Sequence, residues 1–173
     1  HQILNWLPLL DEAQTIPQIV HNKIRRLPFS LPLPLAEEGK AEQLQGPTRG
    51  QLKVQDGCDF MCSFCIIPFA RGRSRHREFN NLCAEAEQQV ASGIQEIVLT
   101  GVNLGTYDLE GRNLVGVVDF LDSLKDLQRI RISSIEPTTV DPGLLERMGD
   151  QSHKLVPFLH LPVQSGSNRI LEL

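Results

Sequence analysis

At 173 residues the chain is long enough for one domain with a real core, or for part of a larger one. Its 40% hydrophobic and 22% charged residues are those of a soluble globular protein, and no apolar run approaches the roughly 20 residues of a membrane span, so no membrane partner is expected. A net charge of −4 gives the whole chain no bias toward nucleic acid, and four cysteines with three inside eight positions exclude a disulfide framework and point to metal ligation in a reducing cytoplasm.

Residues 1–48 hold six of the 11 prolines, a density that prevents long helices and central strands. An amphipathic helix is expected over 9–26, interrupted at Pro17, and an extended linker over 27–50. The region reads as the tail of a missing upstream domain plus a connector. The chain starts at His1 and stops inside an apparent helix, so a fragment is expected. The remainder, 49–173, reads as the N-terminal part of a core domain.

From Gly50 the pattern becomes regular. Residues 51–55 predict a short strand, and 79–93 a helix with Leu82, Ala86 and Val90 on one face and Gly93 as its stop. The run EIVLT at 96–100 predicts a buried parallel strand. A helix follows over 113–127, where Leu114, Val117, Val118, Leu121, Leu124 and Leu127 form a stripe. A third strand is predicted at 129–134, a short helix at 142–148, a fourth strand at 158–161 and a further helix from Asn168. Strands and helices alternate at intervals of roughly thirty residues, which implies an α/β fold of parallel βα units, a barrel or partial barrel. Its chemistry belongs at the carboxyl ends of the strands.

The stretch KVQDGCDFMCSFCIIPFARGRSRHR at 53–77 dominates the chemistry. Cys58, Cys62 and Cys65 stand in the order Cys-x-x-x-Cys-x-x-Cys on a loop after the first strand. Three thiolates that close together suit an iron–sulfur cluster, and three ligands on a four-iron cubane leave one iron free to bind something else. A zinc knuckle that adds Cys83 is the other reading, although structural zinc usually shows two separated ligand pairs. Cys83 alone is expected to pack in the core as a small hydrophobe. Arg71, Arg73, Arg75 and Arg77, with His76, make a basic run after the cysteines. Such a run is either a solvated loop or a phosphate-contacting patch.

A polar or glycine-containing word follows each strand: DGC, TGVN, SSIEP and PVQSGS. Singly, each has a plain structural explanation. Gly101 permits a tight turn, Asn103 forms a turn or cap, Glu136 precedes a proline, and Gln164 belongs to a loop that caps the last helix. Jointly they fall on the rim that carries the cysteines, and they offer hydrogen-bond partners for a polar cofactor.

These words in order, KVQDGC, IIPFARGR, EIVLTGVNLGTY, RIRISSIEP and FLHLPVQSGS, resemble the radical S-adenosylmethionine (radical SAM) methylthiotransferases across about two thirds of the chain. LTGVNLGTY and SSIEP look most like the enzymes that convert threonylcarbamoyl-adenosine, next to the tRNA anticodon, to its methylthio form. The isopentenyladenosine-specific relatives typically carry Gln-Asn-Val-Asn where this chain has GVNL, and Ser-His-Pro near Ser134 to Pro137. The resemblance implies a truncated partial (βα) barrel with a 4Fe-4S cluster on Cys58, Cys62 and Cys65. It also implies S-adenosylmethionine on the open iron, with Phe64 near the adenine and Gly101, Asn103, Ser134, Glu136 and Gln164 around the cofactor. The cofactor would be cleaved to a radical that takes hydrogen from the modified base before sulfur and a methyl group are added. Arg71, Arg73 and Arg75 would approach the substrate's phosphates or carboxylate.

The implied partners are a tRNA anticodon stem-loop, an electron donor and a sulfur source. A second 4Fe-4S cluster would sit on three cysteines of the missing upstream domain, so this chain alone would bind one cluster without turning over. Two alternatives differ in class: a methylthiotransferase for isopentenyladenosine or for a ribosomal protein side chain, and a non-enzymatic zinc-bearing RNA-binding module.

Overall fold

The computed structural model describes residues 29–31 and 48–172. In chain order, β1 (Arg49–Lys53) and the two-residue β2 (Gln55–Asp56) lead to helix α1 (Ile67–Arg71), the short β3 (Arg75–His76) and helix α2 (Phe79–Ala91). The second unit is β4 (Glu96–Thr100), a hairpin of β5 (Asp108–Leu109) and β6 (Arg112–Asn113), and helix α3 (Leu114–Ser123). β7 (Arg129–Ile132), α4 (Pro142–Gly149) and α5 (Asn168–Leu171) complete the described chain.

β1, β4 and β7 form one parallel sheet in that spatial order. Register places Gly50, Ile97 and Ile130 in one row and Leu52, Leu99 and Ile132 in the next. The five apolar members of these rows are buried together with Leu82 and Ala86 of α2 and Leu114, Val117, Val118 and Leu121 of α3. The alternate rows, Arg49, Glu96 and Arg129, then Gln51, Val98 and Arg131, then Lys53 and Thr100, are polar except for Val98. Both helices therefore cover one face and a charged face lies opposite. Consecutive strands as neighbours, with helices on one side, are the start of a partial barrel rather than a doubly wound sheet.

Several boundaries differ from the sequence reading. β1 begins at Arg49, inside the expected linker, and the strand expected over 51–55 breaks at Val54 because Gln55 leaves the sheet to pair with His76. β7 stops at Ile132, before the expected end at Ser134. The third-helix stripe outlasts its helix: α3 ends at Ser123, Leu124 is extended, and Leu127 reaches the core from a turn. The exposed carbonyls at that end accept from Lys154 Nζ, at 2.8 Å for Leu124 and also at Asp122. Asn113 is the N-cap, its Oδ1 accepting from Gly116 N at 3.1 Å.

The fourth strand, expected at 158–161, is reduced to two isolated parallel bridges on β7's side, Ile130 with Leu155 and Ser134 with His160. One more residue separates the pair on the later segment than on the earlier one, so the register slips between the bridges. Pro157 also has no N–H to donate to a ladder. The expected helix at 9–26 and most of the linker lie outside the described residues. Within the linker, Phe29 N donates to His76 O and Phe29 O accepts from Glu78 N, each at 3.0 Å. Cys83 is half-buried beside the core rather than inside it.

On the polar face, Glu96 is 6% exposed and accepts from Arg49, Arg129 and Arg131 at 2.8, 3.0 and 3.1 Å. Burial raises its carboxyl, but the hydrogen bonds from Arg131 and Arg129 and the Arg49 charge outweigh that and hold it below the usual range. A depressed folded value means this contribution is present above the unfolded pKa and is lost as pH falls through the folded one. Urea titrations from neutral pH down to about pH 3 should show Glu96→Gln costing about 1–2 kcal/mol near neutrality, discounted because the arginines are partly exposed, with the gap closing in acid. A pH-independent difference would contradict the assignment.

Candidate functional site

The break after β1 plants Gln55, fully buried, at the root of the cysteine loop. Its Oε1 accepts the N–H groups of Val102 at 2.9 Å and Asn103 at 3.1 Å, in the turn after β4. Its Nε2 donates to Gly57 O at 2.6 Å and to Ser74 Oγ at 2.9 Å. Ser74 Oγ in turn lies 3.2 Å from Thr106 Oγ1. One amide thus joins the cysteine loop, the turn after β4 and the arginine loop. Gly57 has φ +71, and a Cβ there would stand 2.2 Å from Arg73 O, so only glycine lets the two loops cross. Gly101 is less tightly constrained: its Cβ would meet side-chain atoms, Leu104 Cδ2 at 2.8 Å and Gln55 Oε1 at 3.0 Å.

The loop then presents its thiols. Cys58 is buried, Cys62 and Cys65 are half-buried, and none is in a disulfide. Cys58 N donates to Gly72 O at 3.1 Å, and the Phe60 N–H points at Cys58 Sγ at 3.4 Å. Burial pushes the Cys58 thiol up, the Phe60 N–H opposes that in part, and the Cys62 and Cys65 charges push it further in the same direction. Among the described residues, however, no group of three His, Cys, Asp or Glu side chains stands close enough to hold a metal ion. The three thiols share one loop but are not gathered around a common point. Phe64 beside it is 72% exposed, and Met61, Ile66 and Phe69 are exposed as well.

The arginines predicted to meet substrate are tied down locally. Asp56 Oδ1 accepts from Arg71 at 3.2 Å, and its Oδ2 from Arg75 at 3.1 Å and Lys53 at 2.8 Å. Burial raises the Asp56 carboxyl, but Lys53, the Gly57 N–H and Arg71 together hold it low. Three cations on one carboxylate still leave a positive surplus there. Arg73 donates to Asp59 O at 3.2 Å. Arg77, counted in the basic run, is fully buried: it pairs with Glu85 at 2.5 Å and donates to Asn81 Oδ1 at 2.7 Å and Lys53 O at 3.2 Å.

The later words meet one another. Asn103 is 1% exposed, and its Oδ1 accepts from Glu136 N at 3.3 Å and Thr139 Oγ1 at 3.0 Å, which ties the turn after β4 to the turn after β7. Its Nδ2 is buried with no partner. Glu136 Oε1 accepts from Gln164 Nε2 at 3.5 Å, and Ser134 Oγ lies 3.3 Å from His160 Nδ1. Gly101 joins this group through Gln55. Among the described residues no hydrogen bond or ion pair links Phe64 or the three cysteines to Ser134, Glu136 or Gln164. Sequence reasoning missed Gln55, Ser74, Thr106, Thr139 and His160; a glutamine between an apolar run and Gly57 was the one available signal. A separate open cleft, lined by Asp119, Asp122, Glu146, Arg147, Asp150 and His153, holds none of the predicted residues.

Residues 52–173 match the family model described as the radical SAM superfamily. The chain belongs to that superfamily. It is 39% identical, over 99% of its own length and 41% of the relative's, to a tRNA-2-methylthio-N(6)-dimethylallyladenosine synthase from Cereibacter sphaeroides. It is 44% identical, over 72% of its length and 28% of the relative's, to the threonylcarbamoyladenosine tRNA methylthiotransferase MtaB of Bacillus subtilis. The chain thus spans about two fifths or less of these relatives. Among solved structures, the radical S-adenosylmethionine methyltransferase TsrM from Kitasatospora setae superposes at a TM-score of 0.56 and 20% identity, covering 71% of this chain and 23% of that one. That likeness speaks for the fold alone.

For a superfamily whose name implies S-adenosylmethionine and an iron–sulfur cluster, the residues fit in two respects: three free thiols on one loop, and a buried amide nitrogen of Asn103 left without a partner. Cys83 stands apart, its thiol pushed up to about 11 by burial. In cluster-free protein near pH 8, iodoacetamide should modify Cys62 and Cys65 first and Cys83 last. Loading with iron and sulfide should protect Cys58, Cys62 and Cys65 and leave the Cys83 rate unchanged. Peptide mass spectrometry reads both, and protection that includes Cys83 would favour a four-cysteine zinc site.

Proposed function

We propose that this chain is the core of a tRNA methylthiotransferase that adds a methylthio group to threonylcarbamoyl-adenosine beside the anticodon. The observation that carries the reading is the loop of Cys58, Cys62 and Cys65, standing in order with the words at 101–104 and 134–137 and supported by 44% identity to an MtaB enzyme. Cys58, Cys62 and Cys65 hold the cluster. A cluster held there would supply the one-electron reduction that cleaves S-adenosylmethionine.

The chain's own residues bind and orient. Asn103 offers its spare amide N–H, and Glu136 and Gln164 lie at the adjoining turn, where the cofactor's ammonium and hydroxyl groups need partners. Ser134 and the turn at Gly101 belong to the same rim. Phe64 and its exposed apolar neighbours supply a surface that excludes water once covered. Arg71, Arg73 and Arg75, paired with Asp56 and Asp59, would meet substrate phosphate or carboxylate.

A second cluster on an upstream domain, an electron donor, a sulfur source and a cytoplasmic setting complete the proposal. A second reading, action on isopentenyladenosine, draws on the Cereibacter match, which runs over 99% of the chain. The test uses the complete reading frame, reconstituted anaerobically and given tRNA bearing either modification. Nucleoside mass spectrometry should find the methylthio group on threonylcarbamoyl-adenosine. Product only on isopentenyladenosine would move the assignment to the second reading, and no product on either would refute both. Replacing Cys58, Cys62 or Cys65 by Ala should abolish product and remove about four irons per chain, whereas Cys83→Ala should change neither.

A further inference from the structure

The cysteine loop is held almost entirely at its root. Between Cys58 and Cys65 the hydrogen bonds include the local pair Cys65 N to Cys62 O at 3.0 Å and Phe60 N to Cys58 Sγ, and Arg73 reaches in to Asp59, both at its carbonyl and at its carboxylate. The anchors are Cys58 N on Gly72 O and the 2.6 Å bond from Gln55 Nε2 to Gly57 O. The other end of the same amide accepts Val102 and Asn103 N–H, on the rim that carries the spare Asn103 nitrogen.

We propose that Gln55 is a positioning residue for the cysteine loop: its buried amide fixes the loop's take-off against the turn at residues 101–103 and so sets where the three thiols close on a cluster. The inference rests on the proposed function for the cluster's identity, but its residue and its contacts are independent of which RNA is modified. Both ends of the side chain are required. Glutamate keeps the acceptor for Val102 and Asn103 but turns the donor into a second acceptor facing Gly57 O and Ser74 Oγ. Gln55→Glu therefore cuts the loop half of the bridge and spares the half to β4. Ser74→Ala removes one contact of the same nitrogen and leaves the rest.

The experiment uses the full-length protein, reconstituted with iron and sulfide, and compares the parent with Gln55→Glu and Ser74→Ala. A chelator competition reads iron affinity, and electron paramagnetic resonance of the reduced cluster is recorded with and without S-adenosylmethionine. Gln55→Glu should weaken iron retention about 10- to 100-fold and alter or abolish the spectral change caused by S-adenosylmethionine, while thermal unfolding stays cooperative. Ser74→Ala should move both readouts the same way by less. Parent-like retention and an unchanged spectral response in Gln55→Glu would overturn the proposal. If Gln55→Glu does not fold, Ser74→Ala decides it, and parent-like values there overturn it. A parent that takes up no iron refutes the functional reading itself, and this inference with it.

Discussion

The sheet is apolar on one face only, and the remaining architecture follows from that asymmetry. Leu52, Leu99 and Ile132 in one row, and Ile97 and Ile130 in the next, bury themselves against α2 and α3. The opposite face carries Arg49, Glu96, Arg129 and Arg131, which no helix could cover without desolvating charges. Helices are thereby confined to one side, the strands stay parallel, and every strand delivers its carboxyl end to the same rim. A chain with apolar residues on both faces would form a two-sided sandwich and would divide its loops differently.

On that rim the problem is to bring loops far apart in sequence into register. Backbone bonds do part of it, with Cys58 N on Gly72 O and Leu104 N on Ser134 O. Buried polar side chains add to them: Gln55 between the cysteine loop and the turn after β4, Asn103 between that turn and the one after β7, and Arg77 beneath both β1 and α2. Each is fully or almost fully buried with its hydrogen-bonding capacity largely used, the condition under which a polar group specifies a structure rather than destabilising it. The exception is the Asn103 amide nitrogen, which is buried with no partner among the described residues.

The alternation of strands and helices was legible because burial on one face leaves a periodic apolar trace: EIVLT for a buried strand and the valine and leucine stripe for α3. Three of the four words follow strands as expected, DGC at the end of β2, TGVN at the end of β4 and SSIEP after β7, whereas PVQSGS follows only the isolated bridge at His160. What the sequence hid were polar residues with buried roles. Arg77 reads like Arg71 and Arg73 in a basic run, and only the fold reveals that Glu85 and Asn81 enclose it. Gln55 reads as the last residue of a strand, yet the chain turns at Val54 and sends it inward. The fourth strand was over-read because Phe158 and Leu161 look like core residues, whereas both are exposed and the register slips around Pro157. The sequence also gave no sign that Asp56 pairs with Arg71 and Arg75 of the basic run.

The central claim is that Cys58, Cys62 and Cys65 close on a four-iron cluster with one iron left open to S-adenosylmethionine. Mössbauer spectroscopy of the full chain reconstituted with ⁵⁷Fe, before and after S-adenosylmethionine is added, tests it directly. The account predicts that addition splits one iron of the cluster on Cys58, Cys62 and Cys65 away from that cluster's other three. A spectrum that S-adenosylmethionine leaves untouched, or a protein that takes up zinc in place of iron, would contradict it.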